Sequence, residues 1–302
     1  MTDVVIRPLA QDDAGRLFTS LHDDGLVGPP LLGRPYATVA DGGAYRPEWT
    51  WVALRDGTVV ARAAFWGGPH DEEPVVLDWF DFAPGERDAA AALLRAAPHY
   101  EYELILPPRW RDSPDVRAAA EDRIAAASAA GYRPLVERFR YLWTPECGLP
   151  DRPDRLVFRP EPDDDAVLDV LRRVEAGSLD AHARALLDTE GVDAAARDEL
   201  AFLHWLPSPR DWWRLAYTRS GELVGLQIPG RNHHGPVVGF IGVVADQRGH
   251  GYAYDLLAEC THQLVAEGAR GIAAATDLGN TPMAAHFARA GYPVVQHRFC
   301  MG

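Results

Sequence analysis

The chain has 302 residues, 47% hydrophobic and 25% charged, a balance that excludes disordered and collagen-like classes and leaves room for two domains. Its 30 basic residues, all of them Arg, face 44 acidic ones. The net charge of −14 disfavours nucleic acid as a partner, and the lack of Lys excludes lysine Schiff-base chemistry.

Met1 to Ile6 has neither the basic nor the apolar region of a signal peptide, and no run approaches 18 apolar residues. A cytoplasmic protein without a membrane partner is therefore expected. The hydrophobic pattern predicts a strand at residues 4–7 and a helix over 12–23, then an irregular Gly/Pro-rich loop over 24–48. Strands follow at 49–54, 59–66 and 75–82, a helix at 87–97, a strand at 102–106, a helix at 115–130 ended by Gly131, and a strand at 135–143. Pro145, Pro150 and Pro153 break regular structure. The expected division is 1–145 and 155–302, with 146–154 as linker.

The second half begins with a short strand at 156–159. Asp163, Asp164 and Asp165 supply cap and first-turn acids for a helix to Glu175. A helix at 194–206 ends at Pro207. Strands are predicted at 213–218, 223–229 and 237–244, the last nearly continuously apolar, as for a strand covered on both faces. A helix over 252–267, a strand at 271–276, a helix from the Asn280 or Thr281 cap to Ala290, and a strand at 293–301 complete a mixed α/β pattern.

The halves echo one another. Val5-Ile6-Arg7-Pro8 returns as Val157-Phe158-Arg159-Pro160, Arg55-Asp56-Gly57 as Arg219-Ser220-Gly221, and Ala130-Gly131-Tyr132 as Ala290-Gly291-Tyr292. Three matches in one order predict two copies of a single fold. Cys147, Cys260 and Cys300 lack metal-ligand spacing, so neither a metal site nor a disulfide framework is expected, in keeping with a reducing cytoplasm.

The segment Ala245-Asp246-Gln247-Arg248-Gly249-His250-Gly251-Tyr252-Ala253 carries the chemistry. A Gly-containing turn that feeds a helix leaves backbone N–H groups unpaired, and the helix dipole adds positive charge there. Such a turn cradles a pyrophosphate. It lacks the Rossmann glycine order and the Gly-Lys-Ser/Thr of a P-loop.

Arg248-x-x-Gly251-x-Ala253, followed by Asn280, Phe287, Gly291 and Tyr292, resembles the GNAT superfamily of N-acetyltransferases over residues 155–302. The first half resembles it only in element order, which points to a tandem arrangement. The resemblance implies two mixed α/β domains and acetyl-CoA as co-substrate. Its pyrophosphate would lie on the backbone of Arg248, Gly249, His250, Gly251, Tyr252 and Ala253, and its pantetheine arm beside Ile241, Val243 and Val244. Asn280 would face that arm, or be a plain helix cap. Many members carry a Tyr where this chain has Phe287, so a hydroxyl near the thioester sulfur is missing; Tyr254 or water could stand in.

The matching junction of the first half, Ala83-Pro84-Gly85-Glu86-Arg87-Asp88, has one Gly and two acids, with Asp81 just before it. That copy is expected to be non-catalytic. The acceptor would be a small-molecule amine, with no metal involved. Asp277, Glu190, His204 and Tyr254 are the catalytic candidates, beside Asp180, His182, Asp188, His233 and His234 as further polar groups. Trp205, Trp212 and Trp213 could line a pocket or the core. A CoA-binding sensor, a transferase of longer acyl chains, a structural tandem pair and a homo-oligomer remain open alternatives.

Overall fold

The computed structural model describes residues 3–302. In chain order the elements are β1 (Val5–Pro8), α1 (Gln11–Phe18), β2 (Tyr45–Arg55), β3 (Thr58–Trp66), β4 (Val76–Phe82), α2 (Arg87–Ala96), β5 (Tyr102–Leu106), α3 (Pro114–Ala130) and β6 (Pro134–Trp143). They continue with β7 (Leu156–Pro160), α4 (Asp164–Glu175), α5 (Ala181–Thr189), α6 (Val192–Trp205), β8 (Arg214–Thr218), β9 (Leu223–Asn232) and β10 (Gly235–Val243). The chain ends with α7 (Tyr252–Ala266), β11 (Ile272–Asp277), α8 (Thr281–Arg289) and β12 (Val294–Met301).

Two compact units result. One runs to Glu137 and takes in Gln296–Gly302; the other is Arg138–Val295. The division drawn from sequence at 146–154 differs from this at both ends. Residues 138–154 pack with the second unit, and Pro145–Cys147 form a turn of 3-10 helix instead of irregular linker. The last strand of each sequence half is exchanged. Residues 138–143 of β6 pair antiparallel with β11, from Trp143 opposite Ile272 to Arg138 opposite Asp277. Residues 297–301 of β12 pair antiparallel with β5. Sequence order alone carries no sign of this exchange, because either pairing buries the same apolar residues.

Within the first unit β1, β2, β3 and β4 form an antiparallel run, and β4 meets β5 in parallel. Within the second, β7, β8, β9 and β10 form the same run, and β10 meets β11 in parallel. The duplication read from the short repeats is thus a duplication of topology: both Val-aromatic/Ile-Arg-Pro segments become the first antiparallel strand of their unit.

In the second unit α4 begins where the Asp163 carboxylate accepts the Asp165 N–H at 3.0 Å, and it buries Val167, Leu168, Val170, Leu171 and Val174. Each such side chain contributes about 1.5–3 kcal/mol on leaving water. Its core continues through Leu203, Trp213, Leu226, Leu257, Ile272 and Phe287, so Trp212 and Trp213 are packing residues. The first unit centres on Phe65, Leu77, Phe80, Leu93, Tyr102 and Tyr132, with an aromatic group of Phe18, Tyr36, Tyr45 and Trp79.

Three local expectations change. α1 stops at Phe18 instead of residue 23. The 24–48 loop contains two 3-10 turns, Pro29–Leu32 and Val39–Asp41, and the start of β2. Helix α5 has no counterpart in the sequence reading. None of its residues is buried, so it has no apolar stripe to reveal it; the Asp180 carboxylate starts it by accepting the N–H groups of His182 and Ala183 at 2.9 and 3.1 Å.

Candidate active site

β10 pairs with β9 along its length but with β11 only at the Val237–Ala273 bridge. Beyond that bridge the two parallel strands diverge, and a bulge between Val238 and Phe240 bends β10 near that point. The Val244 N–H donates to the Val224 carbonyl at 2.9 Å. Backbone direction alternates along an antiparallel pair, so Gly242 and Phe240 also turn toward β9. Ile241 and Val243 turn their N–H and C=O groups away from β9; the Val243 carbonyl is taken by Arg248 at 3.1 Å, which leaves Ile241 and the Val243 N–H toward the gap. A strand edge open inside a sheet can pair with an extended, amide-bearing ligand. The gap also explains why residues 238–241 are only half-buried, although the apolar run predicts cover on both faces. Val244 itself is buried and its N–H is spent on β9.

Eight residues, Val244 to Gly251, join β10 to α7. Gly249 and Gly251 hold φ at 82° and 75°, the left-handed region that glycine enters without strain. The carbonyls of His250 and Gly251 accept from Arg155 at 3.0 and 3.4 Å, and Arg155 also grips the buried Asp255 carboxylate in two bonds of 2.8 and 2.7 Å. The N–H groups of Gly249, His250, Gly251, Tyr252 and Ala253 have no partner among the described residues. A Cβ on Gly249 would meet nothing within 4 Å, so the space over these donors is open. Five free N–H groups at the start of a 15-residue helix form an anion cradle that fits a pyrophosphate.

Arg248 acts differently from its neighbours. Its guanidinium donates to the carbonyls of Val243 (3.1 Å), Gly177 (2.8 Å) and Val174 (2.6 Å). It thereby ties the C-terminal end of α4 to the turn and contributes fixation, while its charge stands close to the cradle. His250 is exposed, with its ring stacked on Tyr252 at 5.5 Å.

Asn280 is the N-cap of α8, its side-chain oxygen accepting the Met283 N–H at 3.3 Å. Phe287 is buried, stacked on Tyr141 with ring centroids 4.3 Å apart and planes at 18°. Tyr254 is buried beneath the Arg289 guanidinium, 3.8 Å above its ring.

The acidic and histidine candidates separate. His204 Nε2 bonds Asp164 at 2.9 Å, at the N-terminal end of α4, about 16 Å along that helix from the end held by Arg248. Glu190 is exposed at the end of α5. Asp277 closes β11, but one of its oxygens accepts from Arg138 Nε at 2.7 Å and the other from the Ala181 N–H at 2.6 Å. It is a positioning group for α5, already engaged on both oxygens.

Two acids escaped the sequence reading. Glu175 is 2% exposed, and its Oε2 has no hydrogen-bond partner. Burial pushes its carboxyl above the ordinary value, and Asp180 adds to this. Burial also pushes the half-buried Glu199 carboxyl up to about 8, reinforced by Glu175, Asp180 and Asp198 and opposed by Arg138. Both acids lie on the inner stripes of their helices. Glu175 continues Val167 and Leu171 at spacings of four, and Glu199 stands between Ala196 and Leu203. An acid at an apolar-face position is the signal that could have found them.

Comparison with known proteins agrees with this geometry. Residues 182–292 match the family model for the acetyltransferase (GNAT) family. The chain is similar to a GCN5-related N-acetyltransferase of Sphaerobacter thermophilus, at 18% identity and a TM-score of 0.55, over 99% of this chain and 94% of that one. It is similar to a tandem GNAT protein from the clavulanic acid biosynthesis pathway, at 16% identity and a TM-score of 0.51, over 99% and 98%. A glucosamine N-acetyltransferase region of a fungal multi-domain β-N-acetylglucosaminidase matches at 14% identity and a TM-score of 0.56, over all of this chain and 38% of that one. No curated protein matches. No helix among the described residues is long and apolar enough to cross a membrane, and no group of three metal-ligating side chains occurs among them. The chain has a tandem GNAT fold, and its second half carries an acetyltransferase (GNAT) family domain.

Proposed function

We propose that the second unit transfers an acetyl group from acetyl-CoA to a primary amine of a small molecule by direct attack, in the cytoplasm, and that the first unit is a non-catalytic copy. The observation that carries this reading is the juxtaposition of five free N–H groups on Gly249 to Ala253 with the open edge of Ile241 and the Val243 N–H. The cradle suits a pyrophosphate and the edge suits a pantetheine amide. Acetyl-CoA would supply the activated thioester. The chain's own part is to hold that ligand, orient the amine and receive its proton.

Titration calorimetry with acetyl-CoA, followed by a thiol-release assay over an amine panel, tests the reading. One equivalent of acetyl-CoA bound and thiol released with at least one amine is expected. No binding, or two equivalents per chain, overturns it. Phe287, which offers no hydroxyl, favours a second reading in which the protein holds CoA without turnover; binding with no thiol release from any amine would support that instead.

A further inference from the structure

The gap between β10 and β11 ends at a group of carboxylates that the cradle does not use. Glu175 is the last residue of α4. The carbonyl of its neighbour Val174 is bonded by Arg248 at 2.6 Å, and a Cβ on Gly242 of β10 would lie 2.6 Å from the Val174 side chain. Glu175 therefore sits beside the divergent part of β10. Asp277 sits at the end of β11. Arg138 joins Asp277 to Asp180, bonding both carboxylates. Glu199 stands on the face of α6 that packs against α4, between Ala196 and Leu203, which share a core with Leu171 and Val174; Glu175, Asp180 and Asp198 help to raise its carboxyl, and Arg138 opposes them.

The charges do not balance. Glu175, Asp180, Glu199 and Asp277 share two guanidiniums, Arg138 and Arg248, and Arg248 is spent on three carbonyls. Fully ionised, the group carries two negative charges in excess; with the Glu199 carboxyl up at about 8 it holds a proton near neutral pH, and one excess charge is left. Among the buried carboxylate oxygens, Glu175 Oε2 has no hydrogen-bond partner. A buried acceptor without a donor costs about 1–3 kcal/mol, which an incoming N–H donor would recover. Access is open from the Asp180 side, where that side chain is 39% exposed.

We propose that this cluster is the docking site of the acceptor, that the acceptor is a diamine or polyamine, and that Glu199 takes the proton of the reacting ammonium. The proposal rests on the acyl-transfer reading above. One ammonium answers Glu175, whose Oε2 has no partner, from the open Asp180 side, and the second presents the reacting nitrogen. That ammonium gives one proton to the Glu199 carboxylate. The free amine then forms the N–C bond as the C–S bond breaks, its second proton leaves with the sulfur as thiol, and Glu199 returns its proton to water. Amino acids, whose carboxylate would enter an already negative site, are excluded by repulsion.

The experiment has two arms. In the first, titration calorimetry with spermidine and no acetyl-CoA compares wild type with Glu175→Gln and with Glu267→Gln, an exposed control just past α7. Wild type and the control should bind alike, and Glu175→Gln at least about tenfold more weakly. Equal spermidine binding by Glu175→Gln, or none by wild type, overturns the proposal. In the second arm, with acetyl-CoA, kcat/KM should fall from spermidine and 1,4-diaminobutane to n-butylamine by about tenfold or more, and be lowest for ornithine. Glu199→Gln should keep acetyl-CoA affinity but lose the inflection of kcat near pH 8 that wild type shows. The charges facing Glu199 are Glu175, Asp180 with His182 3.9 Å away, Asp198 and Arg138, so removing Glu199 alone must remove that inflection. Preference for n-butylamine or ornithine, or an unchanged profile, sinks the proposal while leaving acetyl transfer standing. Failure of acetyl-CoA to bind sinks the acyl-transfer reading, and the spermidine arm still decides this one.

Discussion

The two units share a sheet topology, and each opens a gap between parallel strands after a single bridge: Leu77–Tyr102 in the first and Val237–Ala273 in the second. The first unit fills its gap with its own side chains and loop. Arg123 of α3 donates to the Phe80 carbonyl at 3.1 Å and to the buried Asp81 carboxylate. Arg62 holds Asp81 from β3 at 2.9 Å, and the Gly28 N–H donates to the Ile105 carbonyl at 2.8 Å. The Phe80 and Ile105 carbonyls are thus satisfied internally. In the second unit, counting back eight from the shared Gly-Tyr pair puts Met283 where Arg123 stands. Counting back from the shared strand-end donors, Ala83 and Val244, puts Gly242 where Asp81 stands. The plug is absent and, apart from the Val243 carbonyl held by Arg248, the edge stays free.

The turns differ as sharply. Four residues, Ala83 to Glu86, join β4 to α2, against eight, Val244 to Gly251, joining β10 to α7. The first turn lacks the stretch that holds the free N–H groups, and it places Glu86, clamped by Arg55 at 2.8 and 3.1 Å, at the helix start. Both copies of the sheet keep the gap; on the proposed reading, binding depends on a short insertion and on two side chains. Folding alone therefore does not preserve the site.

The largest effect expected from this contrast is at the paired glycines. Gly251 and Gly85 both have left-handed φ, 75° and 83°, so Asp at either position carries a similar backbone strain. Gly251→Asp adds negative charge among the free N–H groups and should weaken acetyl-CoA binding by at least about 100-fold, or about 2.7 kcal/mol. Gly85→Asp should leave it unchanged. Calorimetry on both variants checks this; equal losses would show that strain, and not the cradle, was measured.

The plug gives the next effect. Arg123→Met strips one guanidinium from buried Asp81 and should cost about 3 kcal/mol of first-unit stability. It should create no second acetyl-CoA site, because the short turn remains. Met283→Arg should lower acetyl-CoA affinity by about tenfold by presenting a guanidinium to the open edge. Denaturation for the first variant and calorimetry for both are the measurements. A gain of acetyl-CoA binding by Arg123→Met would refute the importance of the turn.

Acid separates the units more gently. In the first, burial raises Glu137, but bonds from His297, Arg111 and Trp110 outweigh it and hold the carboxyl at about 2. Asp81, raised by burial and lowered further by Arg123 and Arg62, also lies below its ordinary value. Depressed carboxylates contribute stability above their unfolded pKa of about 4 that is lost as pH falls toward their folded values. In the second unit Glu199, at about 8, has the opposite sign: acidification from pH 8 toward 5 binds a proton more readily in the folded state and adds stability. Asp78, pushed to about 7 by burial, and Asp23, raised by burial and by Asp81, give the first unit such groups as well. Hydrogen exchange should therefore show the first unit losing protection between pH 4 and 2, and the second gaining some between pH 8 and 5. A fall in the second unit's protection over that upper range would contradict the assignment of Glu199.

The cradle was legible in the sequence because backbone geometry there depends on particular residues: glycines at 249 and 251 and a small residue at 253. Most strands and helices were legible because one face of each is buried. Helix α5 was not, having no buried face, and the exchange of β6 and β12 was not, since it changes partners without changing pattern. The acid cluster was hidden for another reason. Glu175 and Glu199 are separated by two chain turns and α5, and only the packing of α4 against α6 makes them one site. Asp277, singled out for its place at the end of a buried strand, was correctly located but is committed to Arg138 and Ala181.

The smallest effect concerns Phe287. Its ring is buried between Tyr141 and Tyr292, at centroid distances of 4.3 and 5.4 Å. Phe287→Tyr keeps the ring and hence the stacking, worth about 0.5–1.5 kcal/mol. A new hydroxyl lowers stability only if it finds no partner, by about 1–3 kcal/mol. Its chemical benefit would be to protonate a departing CoA sulfur. A thiol with pKa about 8.5, by analogy with Cys, leaves readily as thiolate near neutral pH, so the added acid has little barrier to remove. If the second unit is an active transferase, wild type turns over and Phe287→Tyr changes kcat by less than about tenfold. The comparison with the first unit sharpens this expectation. Counting back four from its Gly-Tyr pair gives Ala127, fully buried and without an aromatic ring, whereas the second unit has the ring of Phe287 there and differs from Tyr by one oxygen atom. A wild type inert toward every amine, with transfer switched on by Phe287→Tyr alone, would place that oxygen at the centre of catalysis and make the native protein a holder of CoA.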